Sequence, residues 1–247
     1  MPRHSAEAIV LRTRPVGDSD LLVTFLTSAE GKLTGSAKSA RRSRRRFGGA
    51  FAPMTRGRAS WSESEGKELV RLESFEVAVS FASRQAELAW FYLFAYLAEV
   101  ADTFARDREP DPRFYRMLRA ATDASETGIA PGALRRWFET WTLRLQGLLP
   151  ELAACVRCGA AAQSAGLVVM AATGEVLCRA CARGETGEAE SVRLSPGEIA
   201  WIRLALAKPV SKMPDPGSAP GIDRLVRLLF LNFTGSPFRT ARFLEAR

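Results

Sequence analysis

Four cysteines in two close pairs constrain this chain more than any other feature. Cys155 and Cys158 form one C-x-x-C pair, and Cys178 and Cys181 form another, with nineteen residues (159–177) between them. Two intervening residues let the backbone turn tightly enough for both sulfurs of a pair to face one point. Four thiolates then satisfy the tetrahedral preference of Zn²⁺. Disulfides belong to exported chains, and here Met1 leads straight into an alternating segment rather than a continuous apolar run. A redox-active dithiol needs a βαβ setting that the helix-rich surroundings do not offer. The expectation is therefore a structural zinc site ligated by Cys155, Cys158, Cys178 and Cys181. Gly159 shapes the first knuckle, and a small hairpin through 167–174 joins the two. Four sulfur ligands leave no open coordination position, so such a metal holds structure and does not activate water.

The second feature is electrostatic. Residues 38–58 carry Lys38, Arg41, Arg42, Arg44, Arg45, Arg46, Arg56 and Arg58 and no acidic residue. The whole chain has a formal net charge of +8 and a sequence pI near 9.8. Charge packed this densely repels itself unless a polyanion accompanies it, and DNA, RNA and anionic lipid all qualify. A merely solvated loop needs less charge than this. The planar guanidinium fork suits bidentate phosphate contact, so these eight side chains are expected to hold nucleic-acid phosphates without reading bases. Phe47 and Phe51 lie within the same stretch and have two open roles, base stacking or barrel core, with core the expected one.

Residues 1–80 read as strands: 6–13, 21–26, 33–37, 51–61 and 69–77, with turn chemistry at Pro15, Gly17 and Asp18 and again at Glu30 and Gly31. Five short strands in this length match a small closed barrel of the OB type, with an SH3-like barrel as the structural rival. The period changes to helical after Ser83. Leu88, Phe91, Tyr92, Phe94, Ala95, Ala98 and Ala101 fall at helical offsets, and helices follow over 114–124 and 131–148. Trp137, Phe138, Trp141 and Leu145 read as core rather than a stacking ladder. Ser195 and Pro196 give an N-cap and N1 pair for a helix to Ala207, and a proline-bearing linker leads to another over 222–233. The architecture is thus multidomain α and β. An OB-fold barrel (1–80) precedes a helical domain (81–150 and 191–247) into which a four-cysteine zinc module (151–190) is inserted.

Catalytic chemistry is hard to assemble. The single histidine, His4, is near the terminus. Asp18 and Asp20 suit turn and cap roles better than a two-metal nuclease, and 31–39 departs from the spacing of a phosphate-binding loop. The expectation is a binding protein of the cytoplasm, not an enzyme.

The pieces together resemble the RecO family of bacterial recombination mediators. The resemblance is carried by Ala8-Ile-Val-Leu-Arg12, Gly17-Asp-Ser-Asp-Leu-Leu22, Gly31-Lys32, Ala37-Lys38 leading to Arg41-Arg42, and Phe47-Gly48-Gly49. It continues through Arg136-x-Phe138, Leu143, Leu145, Gly147 and Pro150 to Cys155-x-x-Cys158-Gly159. Beyond these it includes Ser195-Pro196, Phe238-Arg239 and Phe243-Leu244. Two departures stand out: Ser39 occupies a position where glycine is usual, and Ser236-Pro237 replaces a lysine-serine approach to the last helix. The resemblance implies binding of single- and double-stranded DNA, strand annealing, and action with RecR, and with RecF in some settings. It also implies loading of RecA onto DNA coated by single-strand-binding protein (SSB), whose acidic C-terminal tail docks on the helical part. The alternative that shares the charge and the metal is an RNA-binding or ribosome-associated zinc protein without annealing activity.

Overall fold

The computed structural model describes residues 2–43, 47, 51–162, 166–183 and 191–245. The chain divides into two units, one made of Met1–Thr122 with Phe238–Arg247 and the other of Asp123–Pro237.

The first unit is built on β1 (Arg3–Val16), β2 (Asp20–Thr27), β3 (Gly31–Ala37), β4 (Arg56–Ser62) and β5 (Val70–Val79). They close a barrel in the order β1-β2-β3-β5-β4, with β4 returning to β1. Only β3 and β5 run parallel, at Gly35↔Val70 and Ser36↔Arg71. This is a five-stranded OB-type barrel. Alternate side chains point inward, and β3 shows the period plainly, with Leu33, Gly35 and Ala37 buried between less buried neighbours. Val10, Val23, Phe25, Phe47, Trp61, Leu72 and Phe75 fill the interior.

Residues 8–11 of β1 are buried on both faces, because a bulge between Val10 and Arg12 shifts the register and a helix packs on the outer side. The fourth strand starts at Arg56 rather than at residue 51. Met54 adopts φ 71° and Thr55 N–H closes a turn onto Ala52, which interrupts the extended backbone. Phe51 nevertheless stays with the core, its ring 5.2 Å from Phe47 and 6.1 Å from Phe75. Both phenylalanines are thus barrel residues, Phe47 being only 1% exposed.

A short helix, α1 (Ala82–Gln85), leads to α2 (Leu88–Phe104) and α3 (Pro112–Ala124). The buried side of α2 is Trp90, Leu93, Phe94, Leu97, Ala101 and Phe104, with Tyr96, Ala98 and Val100 beside it. Leu88 and Phe91, expected in the core, are about half exposed, because they share the opposite stripe with Ala95, Glu99 and Asp102. The C-terminal segment returns to this unit. Phe238 packs edge-on against Tyr96, Glu99 accepts the backbone N–H groups of Arg239 and Thr240, and Phe243 of α7 (Arg242–Glu245) stacks on Tyr92 at 4.9 Å.

The second unit holds α4 (Pro131–Leu145), α5 (Pro196–Ala207) and α6 (Pro220–Thr234) and a small sheet of β6 (Leu167–Met170), β7 (Val176–Leu177) and β8 (Ser191–Leu194). The sheet order is β7-β6-β8. The indoles of Trp137 and Trp141 donate to the carbonyls of Lys208 and Ala205 and tie α4 to the end of α5; Trp137 is a core residue, whereas Trp141 is half-buried. Ser195 caps α5 through a full capping box with Glu198. Arg136, 8% exposed, grips Asp223 of α6 through two parallel hydrogen bonds of 2.8 and 2.7 Å. Among the described residues no helix is long and apolar enough to cross a membrane.

Candidate metal centre and nucleic-acid interface

The four cysteines converge. Their Sγ atoms all lie within 4.8 Å of one another, and Cys158 and Cys178 are 3.7 Å apart. A tetrahedron with metal–sulfur bonds of about 2.3 Å has edges of about 3.8 Å, so the cluster has the size a tetrathiolate ion needs. Each pair sits on a tight knuckle. Gly159 N–H bonds to the Cys155 carbonyl at 2.9 Å, and Ala182 N–H bonds to the Cys178 carbonyl at 3.0 Å. Gly159 takes φ 72°, a conformation that suits glycine. The knuckles are held together by Val156 N–H on the Val176 carbonyl and by the β6–β7 pair that the sequence pattern anticipated.

The chemistry of the sulfurs points the same way. Backbone N–H groups, chiefly that of Cys178 and then those of Cys158 and Arg157, pull the Cys155 thiol down to about 6. Cys178 is likewise lowered, first by the Cys181 N–H. Cys181 is pushed up to about 12, first by its hydrogen bonds with the side chains of Cys158 and Cys178, with the charge of Cys155 adding to it. Crowded sulfurs cannot all ionise on their own, and a cation at their centre is what allows it.

The basic stretch is divided by the barrel. Lys38, Arg41 and Arg42 are exposed on the turn that leaves β3. That turn is fastened to the β1–β2 turn: Asp20 accepts Lys38 Nζ at 2.9 Å and the Ser39 N–H at 2.8 Å. Arg41 donates to the Asp18 carbonyl through Nη1, while its own N–H bonds to the Ser19 carbonyl. The Ser39 N–H, then Lys38, holds the Asp20 carboxyl below its ordinary value. Asp18 and Asp20 are therefore turn residues that anchor the loop. Arg44, Arg45 and Arg46 lie outside the described residues.

Arg56 and Arg58 are elsewhere, on β4. Arg58 stands across from Glu7 on one side and Glu76 on the other, and Arg56 lays its guanidinium 5.8 Å from the centre of the Phe81 ring. With Tyr115 and Arg119 of α3 they line a cleft of about 180 Å³. Sequence reasoning missed Tyr115 and Arg119, because they lie some sixty residues from the charged run and only the docking of α3 on the barrel brings them there.

Two family models match this chain. Recombination protein O N terminal covers residues 1–81, and Recombination protein O C terminal covers residues 86–240. Among curated proteins, a DNA repair protein RecO of Koribacter versatilis is 43% identical over 157 residues, which is 62% of this chain and 63% of that protein. RecO of Anaeromyxobacter dehalogenans strain 2CP-1 is 39% identical over 74% of this chain and 72% of its own length. RecO of the same species, strain 2CP-C, is 35% identical over 89% and 86%. A five-stranded closed barrel, a four-cysteine cluster and both family halves in sequence place this chain in the RecO family of DNA repair proteins.

Proposed function

We propose that this protein is a non-enzymatic recombination mediator. It binds single- and double-stranded DNA, anneals complementary strands and helps load RecA onto SSB-coated DNA during repair. The observation that carries this reading is the match of both RecO halves to a chain whose barrel bears Lys38, Arg41 and Arg42 exposed on one acid-free turn. Two polynucleotides repel, and a basic surface that neutralises both raises the rate at which complements meet, without bond-making chemistry. Lys38, Arg41, Arg42, Arg44, Arg45, Arg46, Arg56 and Arg58 act as phosphate contacts, so sequence preference is slight. The metal is Zn²⁺ on Cys155, Cys158, Cys178 and Cys181, and it supplies rigidity to the knuckles. The family resemblance supports RecR and the SSB C-terminal tail as partners, with RecF and RecA in the same pathway. It also supports a cytoplasmic setting, nucleoid-associated during repair.

The test is annealing of complementary oligonucleotides across a salt series, with and without SSB. With about five phosphate contacts, log K for single-stranded DNA falls with log salt at a slope near −3.5. Neutralising Arg44, Arg45 and Arg46 together weakens binding and annealing while the fold persists. A protein that does not speed duplex formation even in dilute buffer is not a mediator of this kind.

A further inference from the structure

The cleft beside β4 has the makings of a site of its own. Its floor is Ala8, Gly57 and Ala78, small residues on three adjacent strands. Gly57 is required there, since a Cβ would lie 2.2 Å from the Glu76 carbonyl oxygen and 2.6 Å from the Phe75 ring. The walls carry three guanidinium groups, Arg56, Arg58 and Arg119, against one lining carboxylate, Glu7. Arg119 Nη1 is 3.5 Å from Glu7, a long contact between exposed groups. Glu76 faces Arg58 from β5 but does not line the cleft, so the lining keeps an excess of positive charge.

Tyr115 adds a neutral donor. The residue is 5% exposed and lines the same cleft. Burial raises the Tyr115 phenol above its ordinary value, and Glu7 adds to this while Arg119 and Arg56 oppose it, so the hydroxyl remains a donor. Three charged forks and one O–H around a small-floored cleft describe a seat for a tetrahedral oxyanion.

This seat is separate from the basic turn. Lys38 is fixed to Asp20, which pairs with Val16 at the far end of β1, nine residues along the strand from Glu7. At about 3.3 Å per residue that is up to about 30 Å of strand. We propose that Arg56, Arg58, Arg119 and Tyr115 bind a backbone phosphate of nucleic acid at a second location on the barrel, so that one molecule holds DNA at two places. The inference rests on the DNA-binding reading above and assigns Arg119 and Tyr115 to it.

Fluorescence anisotropy with a labelled single-stranded oligonucleotide over a salt series tests it, using the full chain and checking fold by circular dichroism. Arg119→Gln and Tyr115→Phe keep helix propensity and ring volume. Loss of the Arg119 charge flattens the salt slope by about 0.7 and weakens binding roughly fivefold at 0.1 M salt, whereas Tyr115→Phe removes an uncharged donor and weakens binding with the slope unchanged. Glu7→Gln, which removes the one lining carboxylate among the described residues, shifts affinity the opposite way. Unchanged affinity and slope in all three variants, with the wild type binding normally, overturns the cleft and leaves the mediator reading intact. A wild type that binds no oligonucleotide overturns that reading instead. Thermal protection by thymidine 5′-monophosphate, compared between wild type and Arg119→Gln, then shows whether the cleft holds phosphate at all. Protection that needs Arg119 while DNA affinity does not would mark a small-phosphate site and overturn the strand assignment.

Discussion

Lys38 Nζ sits 2.9 Å from the Asp20 carboxylate, and the next residue, Ser39, donates its backbone N–H to the same carboxylate. The start of the basic turn is therefore fastened to the β1–β2 turn by a group whose folded-state value is depressed. The sign follows from that. The contribution is fully present above the ordinary value of 3.8 and is lost as pH falls through the lower folded value. Asp20→Ala should accelerate tryptic cleavage after Lys38, Arg41 and Arg42 at neutral pH, with the rest of the barrel resistant. Equal cleavage rates for variant and wild type would remove the anchor.

Ser39 itself holds φ 54°, a left-handed conformation that costs a residue with a Cβ about 1 kcal/mol or more. Its carbonyl accepts from both Arg42 and Ser43, so the conformation is built into the turn. Glycine would take this conformation without strain. Ser39→Gly should relieve the strain, offset in part by glycine's greater freedom in the unfolded chain, for a net gain below about 1 kcal/mol. Thermal unfolding should show a rise of up to about 3 °C with unchanged DNA affinity.

The period-two strands and the cysteine spacing were legible because both are local patterns with one dominant structural solution. Five strands were placed from alternation and turn residues, and only the fourth was misjudged, since nothing local marks the left-handed Met54 that delays it. Leu88 and Phe91 looked like core because periodicity identifies two stripes on α2 but not which one meets the barrel. The same limit applies to the charged residues. Contiguity suggested one patch from Lys38 to Arg58, whereas barrel closure sends Arg56 and Arg58 to β4 and brings in Arg119 from α3. The strand β8 went unread because its four residues gain their partner only through β6.

The cysteine cluster predicts a metal dependence with a particular spatial reach. Cys178→Ser removes one thiolate from a set whose atoms lie within 4.8 Å of each other, and three sulfurs without the fourth hold zinc far less tightly. Stoichiometric zinc by atomic absorption should be lost, with destabilisation of more than about 2 kcal/mol from the open knuckles. Chelator-driven release should become easier as pH falls, because each ligand must stay deprotonated. DNA affinity should change less than stability, because the proposed contacts are on the barrel. A variant that retains one zinc per chain would refute the ligand set.

Gly31 and Lys32 form a tight junction within the first unit. Gly31 adopts φ 69°, and a Cβ there would lie 2.4 Å from the Glu109 carbonyl oxygen, a backbone atom that cannot swing aside. Lys32 follows with backbone bonds on both sides, its N–H to Arg106 and its carbonyl from Arg108. Its ammonium reaches the carboxylates of Asp102 at 3.4 Å and Asp107 at 3.5 Å, and Arg12 meets Asp102 from β1 at 3.2 Å. Gly31, read from sequence as a turn residue, and Lys32 thus dock β3 against residues 106–109. Gly31→Ala combines a disfavoured dihedral with a clash against backbone, at a cost of about 2–4 kcal/mol. Lys32→Met keeps the stem but leaves Asp102 with only the Arg12 contact at that site, at a cost of about 1–2 kcal/mol. Denaturant unfolding that ranks Gly31→Ala as milder than Lys32→Met would show that charge, rather than close backbone approach, fixes this junction.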